Sequence, residues 1–256
     1  MAIIIKSNEE IKLMQIAGDV VARTHELIEK YAKPGVTTKE LDTIAADYIR
    51  SRGAIASFLG YEGAFGAGKY PGSVCLSINE EVIHGIPSLR KLKDGDILSV
   101  DIGAYINGYH GDAARTLCIG NVSEEDRKLV EVTKQSFFEG IKMAKEGNHL
   151  YEISAAIEAY VVSHGFSIVR DYVGHGVGKN LHEAPEIPNY RVPRRGPKLQ
   201  RGMVLAIEPM VNIGTWEVEV LDDLWTVVTC DGKKSAHYEN TIAITDGEPE
   251  ILTMVH

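Results

Sequence analysis

Two aspartates, Asp101 and Asp112, flank an Asn107-Gly108 dipeptide between apolar runs. Asn-Gly is a strong signal for a two-residue hairpin turn. Pairing Ile106 with Tyr109 sets Asp101 opposite Ala114 and Asp112 opposite Gly103. Residues two apart on a strand share a face, so the two carboxylates are diagonal neighbours, about 7–8 Å apart at the backbone. At that distance they can share one cation. A solvated face would also hold two aspartates. However, Ile97, Leu98, Val100, Ile102 and the run Thr116-Leu117-Cys118-Ile119 read as central strands, where an unpaired carboxylate is costly.

Three further residues extend the set. His175 stands in Gly174-His175-Gly176-Val177-Gly178, where glycines permit an unusual turn or a close backbone approach. The spacing matches neither a phosphate loop nor a dinucleotide fingerprint. Glu208 ends the apolar run Leu205-Ala206-Ile207, and Pro209 after it removes a ladder donor, so a strand ends or bulges there. Glu239 opens a later strand, after His237-Tyr238. Four clustered carboxylates repel one another unless cations balance them. Two divalent ions supply that balance. Oxygen-rich ligation with one imidazole suits Co, Mn, Fe(II), Zn or Ni rather than a thiolate zinc site. Such a pair of ions makes hydroxide available near neutral pH and polarises a carbonyl, which is hydrolytic chemistry. The rival is a facial triad built on His110-Gly111-Asp112, as in non-haem iron oxygenases. It would leave Asp101, Glu208 and Glu239 without a role.

Positioning these residues requires a framework. Ser7/Glu10 and Thr37/Glu40 have capping-box spacing. The first opens a stripe at Leu13, Ile16, Ala17, Val20, Thr24, Leu27 and Tyr31; the second opens Leu41, Ile44, Ala45, Tyr48 and Ile49. Both fit helices. Short β-rich runs fill 55–120, helices return over 123–145 and 151–163, and strands with long irregular stretches around 174–202 follow. The order helix, helix, strands occurs twice. An offset of 112 aligns Ala32-Lys33-Pro34-Gly35 with Ala144-Lys145-Glu146-Gly147, and an offset of 107 aligns the run from Lys91 with that from Lys198. The second offset sets Asp101 opposite Glu208. The expectation is a single α+β catalytic domain over 1–256, a pseudo-twofold repeat of helix pairs on a curved, mainly antiparallel β-sheet. Its half-repeats run over roughly 7–121 and 123–252.

With these residues assembled, the sequence resembles the type I, bacterial methionine aminopeptidases of the pita-bread fold along essentially the whole chain. The motifs that carry the likeness are NEEVIHGIP (79–87), NGYHGD (107–112), GHGVGKNLHEAP (174–185), AIEPM (206–210) and WTVVT with SAHYENT (225–241). The resemblance implies removal of N-terminal methionine from nascent proteins or peptides, preferring a small second residue, by a metal-bound hydroxide. It implies that Asp101 ligates one ion, His175 and Glu208 the other, and that Asp112 and Glu239 bridge. Glu208 would also shuttle a proton, with His84 near the scissile nitrogen and His182 near the carbonyl oxygen. The methionine pocket would draw on Tyr61, Cys75 and Trp225, with Phe58, Tyr70 and Leu181. Prolidase and aminopeptidase P share the fold but usually carry an extra N-terminal domain, for which the segment before Lys12 leaves little room. A binding protein that had lost catalysis would have no reason to keep all five ligand positions.

The stretch 62–72 appears longer and richer in glycine than its counterpart in the shorter bacterial members. It lies beside the pocket positions Phe58, Phe65 and Tyr70, and reads as a longer flexible loop. Arg191, Arg194, Arg195, Lys198 and Arg201 make a local basic cluster, usually a solvated loop, with transient ribosome contact as the alternative. The 256 residues carry 27 Lys and Arg against 36 Asp and Glu, a formal charge of −9, which speaks against direct nucleic-acid readout. Two divalent ions at four of those carboxylates would offset part of that charge. Three cysteines without a CxxC pair fit a reducing compartment. No signal-peptide core or apolar span is present. A cytoplasmic monomer without membrane attachment is expected.

Overall fold

The computed structural model describes residues 2–63 and 66–255; Phe65, named above for the pocket, lies outside them. The chain opens with α1 (Asn8–Tyr31) and α2 (Thr38–Ser51), followed by β1 (Ile55–Ala56), β2 (Cys75–Ile78), β3 (Glu81–Ile83), β4 (Ile97–Ile106) and β5 (Tyr109–Cys118). A second helix pair follows, α3 (Glu124–Ile141) and α4 (Leu150–Ser163), then β6 (Ser167–Ile168), β7 (Gly174–Gly176) and β8 (Glu183–Ile187). The chain continues through β9 (Val204–Ile207), β10 (Met210–Asn212), β11 (Val218–Val220) and β12 (Val227–Thr229). It finishes with β13 (Ser235–His237), β14 (Asn240–Ala243) and β15 (Glu250–Ile251). The strand pairings among the described residues are antiparallel, in four sheets rather than one continuous sheet.

Both capping boxes form: Ser7 and Thr37 accept from the backbones of Glu10 and Glu40, whose side chains reach back to the caps. Reciprocal caps satisfy donors that a helix start leaves unpaired. The buried face of α1 differs from the expected stripe. Ala17, Val20 and Thr24 of that stripe are buried, but Ile16 and Tyr31 are about half exposed, and Met14, Val21, His25 and Ile28 are buried in addition. The physical cause is backbone contact: a Cβ on Gly111 would meet Gly18 N at 2.8 Å, and one on Gly18 would meet Leu252 O at 1.9 Å. These close approaches turn the small residues, not Ile16, toward β5. Helix α3 stops at Ile141, short of the expected 145. The region 174–202 is more regular than expected, because it contains β7 and β8.

The hairpin β4–β5 has the expected register, with Ile106 opposite Tyr109, Asp101 opposite Ala114 and Gly103 opposite Asp112. Asn107 and Gly108 both have positive φ, 54° and 87°, as a type I′ turn demands. Farther along, β9 pairs with β14 and β10 with β13, but the two ladders are separated at Glu208-Pro209 and Tyr238-Glu239. Tyr238 N still donates to Pro209 O at 3.2 Å across this break.

Each helix pair covers its own core. Leu41, Ile49, Leu76, Leu98, Val100 and Ile102 belong to one cluster of buried residues; Leu129, Phe137, Ile153, Ile157, Leu205 and Ile242 belong to another. Corresponding backbone bonds recur in the two halves. Gly35 N donates to Leu92 O and Leu92 N to Val36 O, while Gly147 N donates to Leu199 O and Leu199 N to Asn148 O, all at 2.8–2.9 Å.

Candidate active site

The strands converge on a cavity of about 720 Å³ whose lining includes Phe58, Tyr61, Tyr70, Cys75, His84, Asp101, Asp112, His175, Leu181, His182, Glu208, Trp225 and Glu239. Every one of these was named from the sequence. Asp101 and Asp112 reach it from β4 and β5, and His175 from β7. Glu208 and Glu239 enter from the gaps between strands. The glycines around His175 serve close approach rather than a turn: a Cβ on Gly174 would meet Ala206 O at 2.4 Å, and one on Gly176 would meet Ala184 O at 2.3 Å.

Asp112, His175 and Glu239 offer ligand atoms all within 4.8 Å of one another. His175 Nε2 lies 3.8 Å from Asp112 Oδ2 and 3.6 Å from Glu208 Oε1. Asp101 Oδ1, Asp112 Oδ1 and Glu239 Oε1 are buried without hydrogen-bond partners. Buried orphan oxygens are costly in protein alone. They fit a site that receives divalent cations, as does the oxygen-rich donor set.

Electrostatics leads to the same view. Burial raises the Asp101 carboxyl to about 7. Burial, then the charges of Glu239 and Asp101, pushes Asp112 well above its ordinary range. Glu208 rises through burial and its Asp101 and Asp112 neighbours, and Glu239 through burial and the charges of Glu208 and Asp101. Burial first and His182 second hold His175 down at about 3, leaving a neutral imidazole suited to ligation.

On the other side of the cavity, His84 has φ 60°, a left-handed conformation uncommon outside glycine. Its ring meets Tyr172 edge-on at 5.8 Å and Trp225 at 6.4 Å. Burial, then His182, lowers its pKa to about 4. His182 Nδ1 is 2.7 Å from the Tyr61 hydroxyl, and its ring lies 4.3 Å from that of His175. Phe58, Tyr70, Cys75 and Leu181 form a small buried cluster with Trp225 packed against it. Tyr70 donates to Gly85 O at 2.8 Å, and the Trp225 indole donates to Ala67 O at 3.2 Å.

Three residues escaped sequence reasoning. Tyr172 lines the cavity beside His84. His237 is buried, with Nε2 3.8 Å from Glu208 Oε2 and neither ring nitrogen hydrogen-bonded. Arg115 donates to the backbone carbonyls of Ala114 and Glu239 and to the Asn240 side chain. A lone arginine in an apolar strand, and a histidine two residues before Glu239, were the available signals.

Residues 12–246 match the model of metallopeptidase family M24. Methionine aminopeptidase of Clostridium acetobutylicum is 58% identical over 98% of this chain and 99% of its own length. Methionine aminopeptidase 1 of Bacillus subtilis is 56% identical, covering 99% of this chain and 100% of its own. A crystal structure of methionine aminopeptidase from Thermotoga maritima superposes with a TM-score of 0.95 at 45% identity, covering 99% of this chain and all of that one. With its mixed α/β architecture and antiparallel pairings, this chain has the pita-bread fold and belongs to metallopeptidase family M24.

Proposed function

We propose that this protein hydrolyses the first peptide bond of peptides and nascent chains to release N-terminal methionine, with a small residue preferred in second place. The observation that carries this reading is the convergence of four carboxylates and one neutral imidazole beside an apolar recess in the same cavity. In this reading Asp101 would hold one divalent ion and His175 and Glu208 the other, with Asp112 and Glu239 shared between them. Bound there, the ions supply Lewis acidity toward a carbonyl and lower the pKa of water. Co, Mn, Fe(II), Zn and Ni all suit this donor set.

The protein's own groups do the remaining work. Glu208 takes up and returns the proton that moves from water to the leaving amine. His84 attends the scissile nitrogen, and His182 donates to the carbonyl oxygen as negative charge develops there. Phe58, Tyr61, Tyr70, Cys75 and Trp225 form an apolar recess that suits an unbranched thioether, with ring edges offering sulfur contacts. Burial raises the Cys75 thiol well above its ordinary range, which supports a role as wall rather than nucleophile.

The catalytic unit is one domain over 1–256, with half-repeats over roughly 7–121 and 123–252; the corresponding Gly35–Leu92 and Gly147–Leu199 bonds support it. The protein acts as a cytoplasmic monomer. Among the described residues no helix is long and apolar enough to cross a membrane. The exposed cluster Arg191, Arg194, Arg195, Lys198 and Arg201 is the face for transient ribosome contact. Co-sedimentation with ribosomes that survives neutralising these residues would remove that surface from the reading.

The test of function is metal-stripped protein assayed on Met-Ala-Ser and on proline-containing peptides, then restored with single metals. Methionine release from Met-Ala-Ser after restoration is expected. Absence of release with every metal would overturn the proposal.

A further inference from the structure

We infer that Tyr61 is a positioning residue that fixes the tautomer of His182, so that His182 presents a proton on Nε2 to the cavity. The inference deepens the reading above, in which His182 donates to the substrate carbonyl, and rests on it.

The geometry starts with two neighbouring histidines whose Nδ1 atoms have partners of different kinds. His175 Nδ1 is 2.9 Å from the backbone oxygen of Gly176. A carbonyl can only accept, so His175 carries its proton on Nδ1 and keeps a lone pair on Nε2. His182 Nδ1 is 2.7 Å from the Tyr61 hydroxyl. A phenol can donate or accept, but a neutral ring that donates from Nε2 to a substrate carbonyl has no proton left on Nδ1, which must then accept. The phenol donates, Nδ1 accepts, and the single proton of the neutral ring sits on Nε2.

The two rings are therefore set in opposite tautomers 4.3 Å apart. One offers a lone pair, as a metal ligand must; the other offers a proton, as a carbonyl-polarising group must. Without the hydroxyl, no group among the described residues bonds Nδ1, and only the weak intrinsic preference of the ring is left to set the form of His182.

Tyr61 is held for this task. Its backbone N–H donates to Phe58 O at 2.9 Å, and its carbonyl accepts from Tyr70 N at 2.9 Å. Its ring meets that of His182 edge-on at 5.3 Å and 72°. If Tyr61 were only a wall of the methionine recess, phenylalanine would serve as well.

Tyr61→Phe keeps the ring and removes the hydroxyl, so it separates the two roles. In the metal-loaded variant kcat on Met-Ala-Ser should fall about fivefold, the worth of one neutral hydrogen bond, while KM changes by less than about twofold. In a His182→Ala background the same substitution should have no further effect. Heteronuclear NMR of the imidazole nitrogens in Zn(II)-loaded protein gives a readout independent of turnover. The His182 signals, assigned by their loss in His182→Ala, should show Nδ1 unprotonated and Nε2 protonated. This preference should weaken in Tyr61→Phe. An unchanged kcat, or a His182 tautomer indifferent to Tyr61→Phe, would overturn the inference. A wild-type protein inactive on Met-Ala-Ser would instead count against the proposed function, and the NMR comparison would still decide the tautomer.

Discussion

Lys6 Nζ lies 2.7 Å from Glu183 Oε2, and both side chains are almost fully buried although 177 residues separate them. Glu183 follows His182 directly and also accepts from Asn180 N at 3.2 Å. The segment ahead of α1 is thereby clamped to the loop that carries His182. Lys6→Met leaves a buried carboxylate without its partner and should cost about 3–5 kcal/mol of stability. Lys6→Met/Glu183→Met should cost less than the single change. Urea unfolding of the three proteins checks this, and a double variant weaker than Lys6→Met would refute the clamp.

Removing metal should destabilise the fold as well as abolish turnover. Asp101 Oδ1, Asp112 Oδ1 and Glu239 Oε1 are buried without hydrogen-bond partners, and bound cations would pair them. Metal at about 100 times its dissociation constant should add about 2.7 kcal/mol. Thermal unfolding with and without chelator measures it; coincident transitions would contradict the assigned ligands.

Glu208→Gln retains volume but loses the proton-accepting carboxylate. Turnover should fall about 10²–10⁴-fold, with circular dichroism unchanged. Steady-state assays at saturating metal test this, and a rate within a few-fold of wild type would remove Glu208 from proton transfer.

His25 predicts a specific pH dependence of stability away from the site. It is buried, its Nε2 lies 2.9 Å from Ala113 O, and burial, then Arg115, lowers its pKa to about 3. The unfolded chain titrates this group near 6.5. Between those values the unfolded state binds the extra proton, so acidification favours unfolding, by up to about 1.4 kcal/mol per pH unit. This stabilisation is complete above about 6.5 and is lost as pH falls toward 3. His25→Gln should flatten the denaturation midpoint against pH over that window; an unchanged slope would show that His25 does not set it.

What the sequence made legible follows the range of the interactions. The Asn107-Gly108 turn and the parity of the strands specify the Asp101–Asp112 relationship locally, and the register agrees residue for residue. Caps at Ser7 and Thr37 are equally local. The buried face of α1 was legible at Ala17, Val20 and Thr24 but not at Ile16, because Gly18 packs against Gly111 and Leu252, contacts invisible to helical periodicity. His237 and Arg115 escaped for a related reason. Their importance comes from Glu208 and Glu239 beside them in space, and single-residue patterns carry no such information. The Tyr61–His182 bond spans 121 residues, so only the folded chain reveals that the two side chains meet.

The recess of Phe58, Tyr70, Cys75 and Leu181 is buried on the protein side. Placed beside the carboxylate cluster, it gauges the shape of a side chain rather than its reactivity. A charged residue put there would lie unpaired among buried rings, and a branched one would have to push them aside. Discrimination at this wall is then a matter of packing and desolvation, set apart from the groups that do the chemistry.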